Sequence, residues 1–126
     1  MTDGSAARNG VSSNGAIGLV VLYRWRLHPG CEDVFVAAWQ GITGALLEHG
    51  SFGSRLHSGD DGWWYGYAQW PDDATRKRAF NADAFAAGAE HAALLHRMRA
   101  CIAESAAEVD LTPVADWLRL PHNPAL

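Results

Sequence analysis

The chain has 126 residues, a formal net charge of −4 and 19% charged residues, so it can bury one sizeable core and carries no charge excess that favours nucleic acid or an anionic membrane surface. No apolar run reaches the roughly 18 residues of a membrane span, and the Gly-, Ser- and Asn-rich start lacks the apolar segment of a signal peptide. We therefore expect a flexible tail over residues 1–16, one domain over 17–119 and a C-terminal tail over 120–126.

The rarer residue types narrow the setting further. Cys31 and Cys101 are the two cysteines, and their spacing fits neither a metal site nor a disulfide framework, so we expect free thiols and a cytoplasmic protein. The six tryptophans exceed ordinary usage. Because Trp is costly to expose, they predict a rich core, a pocket lining or an interface.

The first predicted strand runs from Leu19 to Leu27, with the sequence LVVLYRWRL. Its odd positions are all apolar or aromatic, while the even positions change from Val and Leu to Arg, so one face is buried along its whole length. A helix is predicted from Glu32 to His49, because apolar residues recur there at spacings of four, three and four. These residues are Phe35, Trp39, Ile42 and Leu46. Gly50 stands where a C-terminal cap belongs.

The stretch from Ser51 to Trp70, SFGSRLHSGDDGWWYGYAQW, is predicted to be a β-hairpin. The Gly-Asp-Asp-Gly run at positions 59–62 supplies the turn, since Gly tolerates positive φ and Asp bonds its own backbone. Successive side chains of a strand point to opposite faces. The second strand therefore places Trp63, Tyr65, Tyr67 and Gln69 on one face and Trp64, Gly66, Ala68 and Trp70 on the other.

The remaining chain predicts two helical segments and a last strand. The helical region begins at Pro71-Asp72-Asp73, with an aspartate as the N-cap, and runs to about Glu104 with a break at Asn81-Ala82-Asp83. A final extended stretch spans roughly Ala107 to Leu118. Pro113 interrupts it, because proline removes a ladder hydrogen bond.

The element order β-α-β-β-α-β predicts an α+β fold, the ferredoxin-like arrangement. Two helices cover one face of a four-stranded antiparallel sheet, and the other face still carries aromatic and aliphatic side chains from the first and third strands. A contiguous exposed apolar patch usually marks an interface. We therefore expect a homodimer that presses two such sheets together.

Three segments resemble the antibiotic biosynthesis monooxygenase family of dimeric α/β barrels: YRWRLHPG, GSRLHSGDDGWWYGYAQWPD and the Ala-rich second helical region. The likeness extends from about Leu19 to Leu118. It implies a ferredoxin-like protomer, a barrel formed by two sheets across a dimer, and a pocket between each sheet and its helices. Some members of this family oxidise polycyclic phenols to quinones with O₂ and without metal or flavin, and others degrade haem.

The haem-degrading branch of that family fits this sequence poorly. Its members share an Asn on the first strand, and a Trp and a haem-ligating His on the second helix. The matching positions here are Tyr23, a site near Ala79 and a site near Ala89, and none has the required residue type. His91 lies two residues beyond the last of these positions. A shifted alignment would therefore supply the haem-ligating His, but not the Asn and the Trp. The resemblance therefore favours the branch that needs no cofactor.

His91 is the candidate catalytic base. It lies on the apolar stripe of the second helical region, one turn before Leu94 and Leu95, and should face the pocket or the core. A neutral imidazole there can take a phenolic proton from a substrate. The alternative is a structural histidine whose hydrogen bond is satisfied by a neighbour.

Five aromatic residues are candidates for binding a flat aromatic substrate by stacking and phenol hydrogen bonds. They are Tyr23, Trp25, Trp39, Tyr65 and Tyr67. The alternative is that they fill the core and the dimer barrel.

Arg55 and Gln69 are candidates for stabilising an anionic oxygen. Arg55 and His57 share one side of the second strand, and Gln69 shares the facing side of the third strand with two tyrosines, so a polar cluster that holds an oxyanion is expected. The alternative is a solvated end of the sheet or a salt bridge across a dimer.

No metal or cofactor motif is present. His91 and His96 lie about 140° apart around a helix, so they do not converge as an i, i+4 pair would. The sequence contains no CxxC, GxGxxG, P-loop or GxSxG pattern. Two functions follow: a cofactor-independent monooxygenase of a small aromatic phenol or enol, or a non-catalytic dimer that binds a small ligand or a protein partner.

Overall fold

The computed structural model describes residues 16–81 and 89–119, which form five strands and three helices. The elements are β1 (Leu19–Leu27), α1 (Glu32–Leu47), β2 (Ser54–Ser58), β3 (Trp64–Trp70), α2 (Asp73–Asn81), α3 (Ala89–Ala100), β4 (Ile102–Ser105) and β5 (Val109–Leu111). The predicted tails, apart from Ala16, and most of the predicted helix break lie outside the described residues.

The strands form one antiparallel sheet in the order β2-β3-β1-β4, and β5 also pairs with β1. This order, with the helices on one face, confirms the predicted ferredoxin-like α+β fold. The predicted hairpin is confirmed as well. Its turn closes through the Gly59 N–H, which donates to the Trp63 carbonyl at 2.7 Å, and Gly62 adopts a φ of +85°.

The prediction for the end of the domain was wrong in two respects. The last helix ends at Ala100 rather than near Glu104, and strand β4 occupies the positions where the end of that helix was predicted. The extended stretch predicted from Ala107 to Leu118 is reduced to the short strand β5, so the sheet has five strands rather than four. The His28 N–H donates to the Cys101 carbonyl at 2.9 Å, which draws the chain onto β1 directly after α3. The pairing with β1 then shifts in register between Arg26 and Leu27. β5 ends before Pro113, as a residue without an N–H requires.

The core consists of two clusters of buried side chains on the helix-covered face. The first joins Leu19, Val21, Ile42, Leu46, Ala68, Trp70 and Ala79, and the second joins Trp25, Leu27, Phe35 and Cys101. Tyr23 packs against both clusters. Tyr23 therefore lies at the junction between the two halves of the core.

Cys31 and Cys101 are free thiols that the fold brings together at the base of the second cluster. Cys31 directly precedes α1 and Cys101 directly follows α3. Burial raises the pKa of the Cys101 thiol, and a hydrogen bond between the two thiols raises it further. The contact joins the start of one helix to the end of the other.

Candidate functional site

A cavity of about 540 Å³ lies between the sheet and the helices. Its walls include Tyr23 and Trp25 from β1, Trp39 from α1, and Arg76 and Phe80 from α2. Ligand pockets are typically apolar concavities of about 300–1,000 Å³ with a few polar groups that fix orientation. The cavity has this size and this composition.

The sheet side of the cavity is a stacked aromatic pair. The Tyr23 and Trp25 rings lie with centroids 5.5 Å apart and planes 9° apart, because residues two apart on a strand share one face. Gly66 makes this arrangement possible, since a Cβ at that position would lie 2.8 Å from the Trp25 indole. Phe35 meets the indole edge-on at 5.3 Å and fixes it from the helix side. The pair therefore presents a rigid, flat, apolar surface.

The polar end of the cavity is built on Arg76. Its Nη2 donates to the Tyr23 hydroxyl oxygen at 3.0 Å and to the Glu108 carboxylate at 2.7 Å. The Asp72 carboxylate accepts the Thr75 N–H at 2.7 Å and so caps α2, which sets the first turn that carries Arg76. Helix α2, strand β1 and the β4–β5 link thus converge on one guanidinium.

Electrostatics leave Tyr23 neutral and Arg76 charged. Burial raises the pKa of Tyr23 and outweighs the lowering effect of the Arg76 hydrogen bond and charge. Burial alone would lower the pKa of Arg76, but the hydrogen bonds and charges of Tyr23 and Glu108 raise it. At neutral pH the polar end therefore offers a guanidinium and a protonated phenol side by side.

Two buried N–H groups on the cavity wall have no acceptor in the part of the chain that the structure describes. They are the indole N–H of Trp70, whose side chain is 1% exposed, and the Nε–H of Arg76. A buried donor without a partner is rare in folded proteins and costs about 1–3 kcal/mol. The wall therefore carries two donors that no acceptor among the described residues satisfies.

Three of the five aromatic residues predicted to bind substrate line the cavity from its helix-covered side, namely Tyr23, Trp25 and Trp39. Tyr67 also borders the cavity, but it pairs with Leu22 and Arg55, so its side chain lies on the outer face of the sheet. Tyr65 lies on the same outer face, across from Arg24, and its hydroxyl donates to Asp61 in the hairpin turn. Their roles in binding stay predictions.

The three predicted catalytic residues are not brought together. Arg55 is exposed on the outer face of the sheet, opposite Tyr67, and the Gln69 side chain donates to the Phe52 carbonyl at 3.4 Å. His91 is half-buried on α3 and is not one of the residues that line the cavity. The catalytic assignment of these residues stays a prediction.

Sequence reasoning missed Arg76 and Glu108 as site residues. Arg76 lies in the charged run TRKR, which is typical of a solvated helix face, and Glu108 lies in the break between two strands. The only local signal is the Asp72 cap, which fixes where α2 begins but not which arginine turns inward. The Arg76 contacts span 53 and 32 residues of sequence, so only the tertiary fold reveals them.

The outer face of the sheet carries a second cavity of about 430 Å³, lined by Val20, Tyr67, Leu111 and the segment after β5. Trp117 in that segment is 96% exposed.

Over residues 16–81 and 89–119, no group of three His, Cys, Asp or Glu side chains is placed to hold a metal ion, and no helix is long and apolar enough to cross a membrane.

No protein-family model matches the sequence, and no curated protein matches it either. Solved structures do share its fold. SnoaB, a cofactor-independent oxygenase from Streptomyces nogalater, is 16% identical with a TM-score of 0.63, and the match covers 82% of this chain and 100% of that chain.

Two further neighbours are named as antibiotic biosynthesis monooxygenases. The protein from Bordetella bronchiseptica is 16% identical with a TM-score of 0.63 over 79% of this chain and 100% of that chain. The protein from Chloroflexus aurantiacus is 15% identical with a TM-score of 0.60 over 78% of this chain and 94% of that chain. The chain therefore has the fold of antibiotic biosynthesis monooxygenase-like proteins, as the resemblance of its sequence implied.

Proposed function

We propose that the chain is a cofactor-independent monooxygenase of a small aromatic phenol or enol, and that the cavity between sheet and helices is its active site. One observation carries the proposal: a flat aromatic wall ends in a guanidinium–phenol pair, Arg76 and Tyr23, inside one cavity. The fold neighbours include a cofactor-independent oxygenase, which is compatible with this chemistry.

The reaction requires little from the protein beyond orientation and charge. An electron-rich phenol or enol loses a proton, and the resulting carbanion gives its electron pair to O₂ and forms a carbon–oxygen bond. The peroxide anion takes up a proton and becomes a hydroperoxide. Its O–O bond then breaks as the same carbon loses its remaining hydrogen, which yields a carbonyl and water, so one oxygen atom ends in the product and the other in water. The aromatic walls would exclude bulk water and hold the ring, while Arg76 would stabilise the negative charge that develops on oxygen.

His91 remains the base predicted from the sequence. The test is oxygen consumption by the purified, metal-free protein with a panel of hydroxyanthrones and hydroquinones, beside His91→Ala and Trp39→Ala. The proposal expects consumption above the uncatalysed rate that falls at least about tenfold in both variants, because general-base catalysis and substrate positioning each contribute that much or more. Consumption that persists in His91→Ala removes that residue from the mechanism. No consumption by the folded wild type overturns the proposed reaction.

A second candidate function is favoured by a specific observation. Among the described lining residues the one carboxylate, Glu108, is already paired with Arg76, and none is a histidine. A cavity without an evident base suits a protein that binds an aromatic ligand and does not transform it. Binding of a hydroxyanthrone without oxygen consumption would favour this function.

We also propose that the chain is a cytoplasmic homodimer. Five apolar side chains of the last strand and the segment after it are strongly exposed, namely Val109, Leu111, Val114, Trp117 and Leu118. An exposed apolar run of this length supports contact with a second copy across the outer face of the sheet. The free thiols Cys31 and Cys101 support a reducing compartment.

A further inference from the structure

We infer that Tyr23, which accepts a hydrogen bond from Arg76, is the group that recognises an oxygen of the ring ligand, and that the cavity thereby selects the ionised form of a phenolic ligand over the neutral form. The inference rests on the proposed function only in taking the cavity as the ligand site. It adds the residues that decide which ligand oxygen, and which protonation state, the cavity accepts.

The direction of the hydrogen bonds carries the first step. Arg76 donates to the Tyr23 oxygen, so that oxygen is an acceptor and its own proton must point elsewhere. Tyr23 lines the cavity. Among residues 16–81 and 89–119, the bond from Arg76 is the one hydrogen bond of its hydroxyl, so the proton has no acceptor there. The hydroxyl is therefore available to donate to an oxygen on a ligand that lies along the Trp25 ring.

The wall of the cavity carries more positive than negative charge. The described lining residues include three cations, Arg76, Lys77 and Arg99, and one carboxylate, Glu108. Lys77 is paired with Asp73 on the exposed side of α2, so Arg76, whose side chain is 16% exposed, is the cation nearest the interior. A charge screened from water interacts more strongly than one at the surface. A ligand with a negative oxygen is thus favoured at this end.

Glu108 does not cancel this preference. It is half-exposed and accepts one of the five N–H groups of the guanidinium, while the Nε–H of Arg76 and the indole N–H of Trp70 have no acceptor among the described residues. Both of these groups are screened from solvent, so a ligand oxygen reaches them only if a side chain rotates. These unsatisfied donors favour a ligand that brings acceptor lone pairs, as a phenolate or a quinone carbonyl does.

The groups that face Tyr23 would act on a ligand in the same way as they act on each other. Arg76 on α2 lowers the pKa of a neighbouring phenol, whereas Glu108 and Asp110 on the β5 side raise it. Tyr23 stays protonated because burial dominates. Burial acts on a ligand phenol in the same direction, so the phenolate is favoured where a hydrogen bond from Tyr23 and the charge of Arg76 together outweigh it.

The experiment is an anaerobic titration of 4-nitro-1-naphthol, whose phenolate absorbs visible light, in the presence and absence of the protein. The expected result is a bound dye whose pKa is lower than that of the free dye by about one unit, which corresponds to about tenfold tighter binding of the phenolate. Because oxygen is absent, the readout does not depend on turnover.

Three variants locate the effect. Tyr23→Phe removes the hydroxyl that would donate to the phenolate, and Arg76→Gln removes the guanidinium that holds this hydroxyl. Each variant should abolish the shift in the dye pKa and weaken phenolate binding about tenfold or more. Arg76→Lys keeps the positive charge but loses the planar set of N–H donors of the guanidinium, so it should retain part of the shift in the dye pKa. Arg78→Gln is the matched control, because Arg78 is on the same helix and exposed but does not line the cavity. Circular dichroism checks that each variant is folded.

The outcomes separate this inference from the proposed reaction. Binding with a lowered dye pKa that is lost in Tyr23→Phe and Arg76→Gln, and kept in Arg78→Gln, supports the inference whether or not oxygen is later consumed. Binding with an unshifted pKa, or a shift that both variants retain, overturns the inference and leaves the cavity as a ligand site. Absence of binding overturns the inference and removes the ligand site that the proposed function needs.

Discussion

Gly66 decides the shape of the cavity through what it lacks. Its neighbour across the sheet is Tyr23, and the Trp25 indole lies over it so closely that a Cβ would come within 2.8 Å of one ring carbon and 3.0 Å of the next. We predict that Gly66→Ala displaces the indole and lowers the free energy of unfolding by about 1–3 kcal/mol, the usual cost of overpacking a core. Urea denaturation measures the difference.

The matched control for this prediction is Gly44→Ala. Gly44 lies within α1, and a Cβ there meets nothing within 4 Å. Alanine should stabilise the helix by about 0.5–1 kcal/mol, because glycine loses more backbone freedom on folding. If the two variants move the midpoint of urea unfolding by the same amount in the same direction, contact with the Trp25 indole is not the reason that an alanine at position 66 changes stability.

At the scale of residues, sequence reasoning works where a contact is local. Strand alternation places Tyr23 and Trp25 on one face, and both line the cavity. The same alternation places Gln69 on the opposite face from Trp70. It does not reveal that the Gln69 amide nitrogen donates a hydrogen bond to the Phe52 carbonyl. Contacts between distant parts of the chain, such as that of Arg76 with Tyr23, leave no periodic signal.

At the scale of elements, α2 depends on the Asp72 cap. The pKa of Asp72 is lowered by its hydrogen bonds with Thr75, first through the side chain and then through the backbone N–H. We predict that Asp72→Ala lowers the free energy of unfolding by about 1 kcal/mol at neutral pH, the typical effect of losing an N-cap. Thermal or urea unfolding at several pH values measures it.

The sign of the pH dependence follows from the lowered pKa. A carboxyl whose pKa is lower in the folded than in the unfolded state binds fewer protons when folded, so its stabilisation is full above the ordinary carboxyl pKa and is lost as the pH falls through the lowered value. The difference in free energy of unfolding between wild type and Asp72→Ala should therefore become smaller in acid. Asp72→Asn is the control, because asparagine caps without a charge and its small difference from wild type at neutral pH should shrink or reverse in acid. A gap between wild type and Asp72→Ala that widens in acid would contradict this account of the cap.

The elements themselves were predictable to different degrees, and the reason is how far apart their partners lie in sequence. The hairpin carries its own turn chemistry between its strands, so its position follows from residues 51–70 alone. β4 and β5 are only four and three residues long and exist through pairing with β1, some eighty residues earlier. Their apolar pattern is too short to fix strand ends, so both strand bounds and the end of α3 were wrong.

At the scale of the whole molecule, the two faces of the sheet differ in what covers them. One face holds the core and the cavity beneath the helices, while the other carries Leu22, Tyr67, Val109 and Leu111 beside the exposed cations Arg24 and Arg55. The guanidinium carbons of Arg24 and Arg26 lie 4.3 and 5.0 Å from the centroid of the Trp63 ring. These side chains cover the end of the outer face near the hairpin turn. The uncovered apolar part lies toward β5.

We predict that the purified protein is a dimer and that Leu111→Glu makes it monomeric. Leu111 pairs with Val20 on the outer face and is 40% exposed, so a dimer across this face would bury it. An unpaired carboxylate in an interface costs several kcal/mol, which weakens association by more than about a hundredfold. Sedimentation equilibrium over a concentration series measures the effect.

Val34→Glu is the matched control, because Val34 is 48% exposed on α1, away from the outer face of the sheet. It introduces the same charge and should leave the dimer intact. A wild-type protein that sediments as a monomer would contradict the proposed assembly, and a control that dissociates as Leu111→Glu does would show that the dimer uses the helix side instead. Leu111 is not among the residues that line the cavity between sheet and helices. Assembly and ligand recognition can therefore be tested separately, the first at Leu111 and the second at Tyr23.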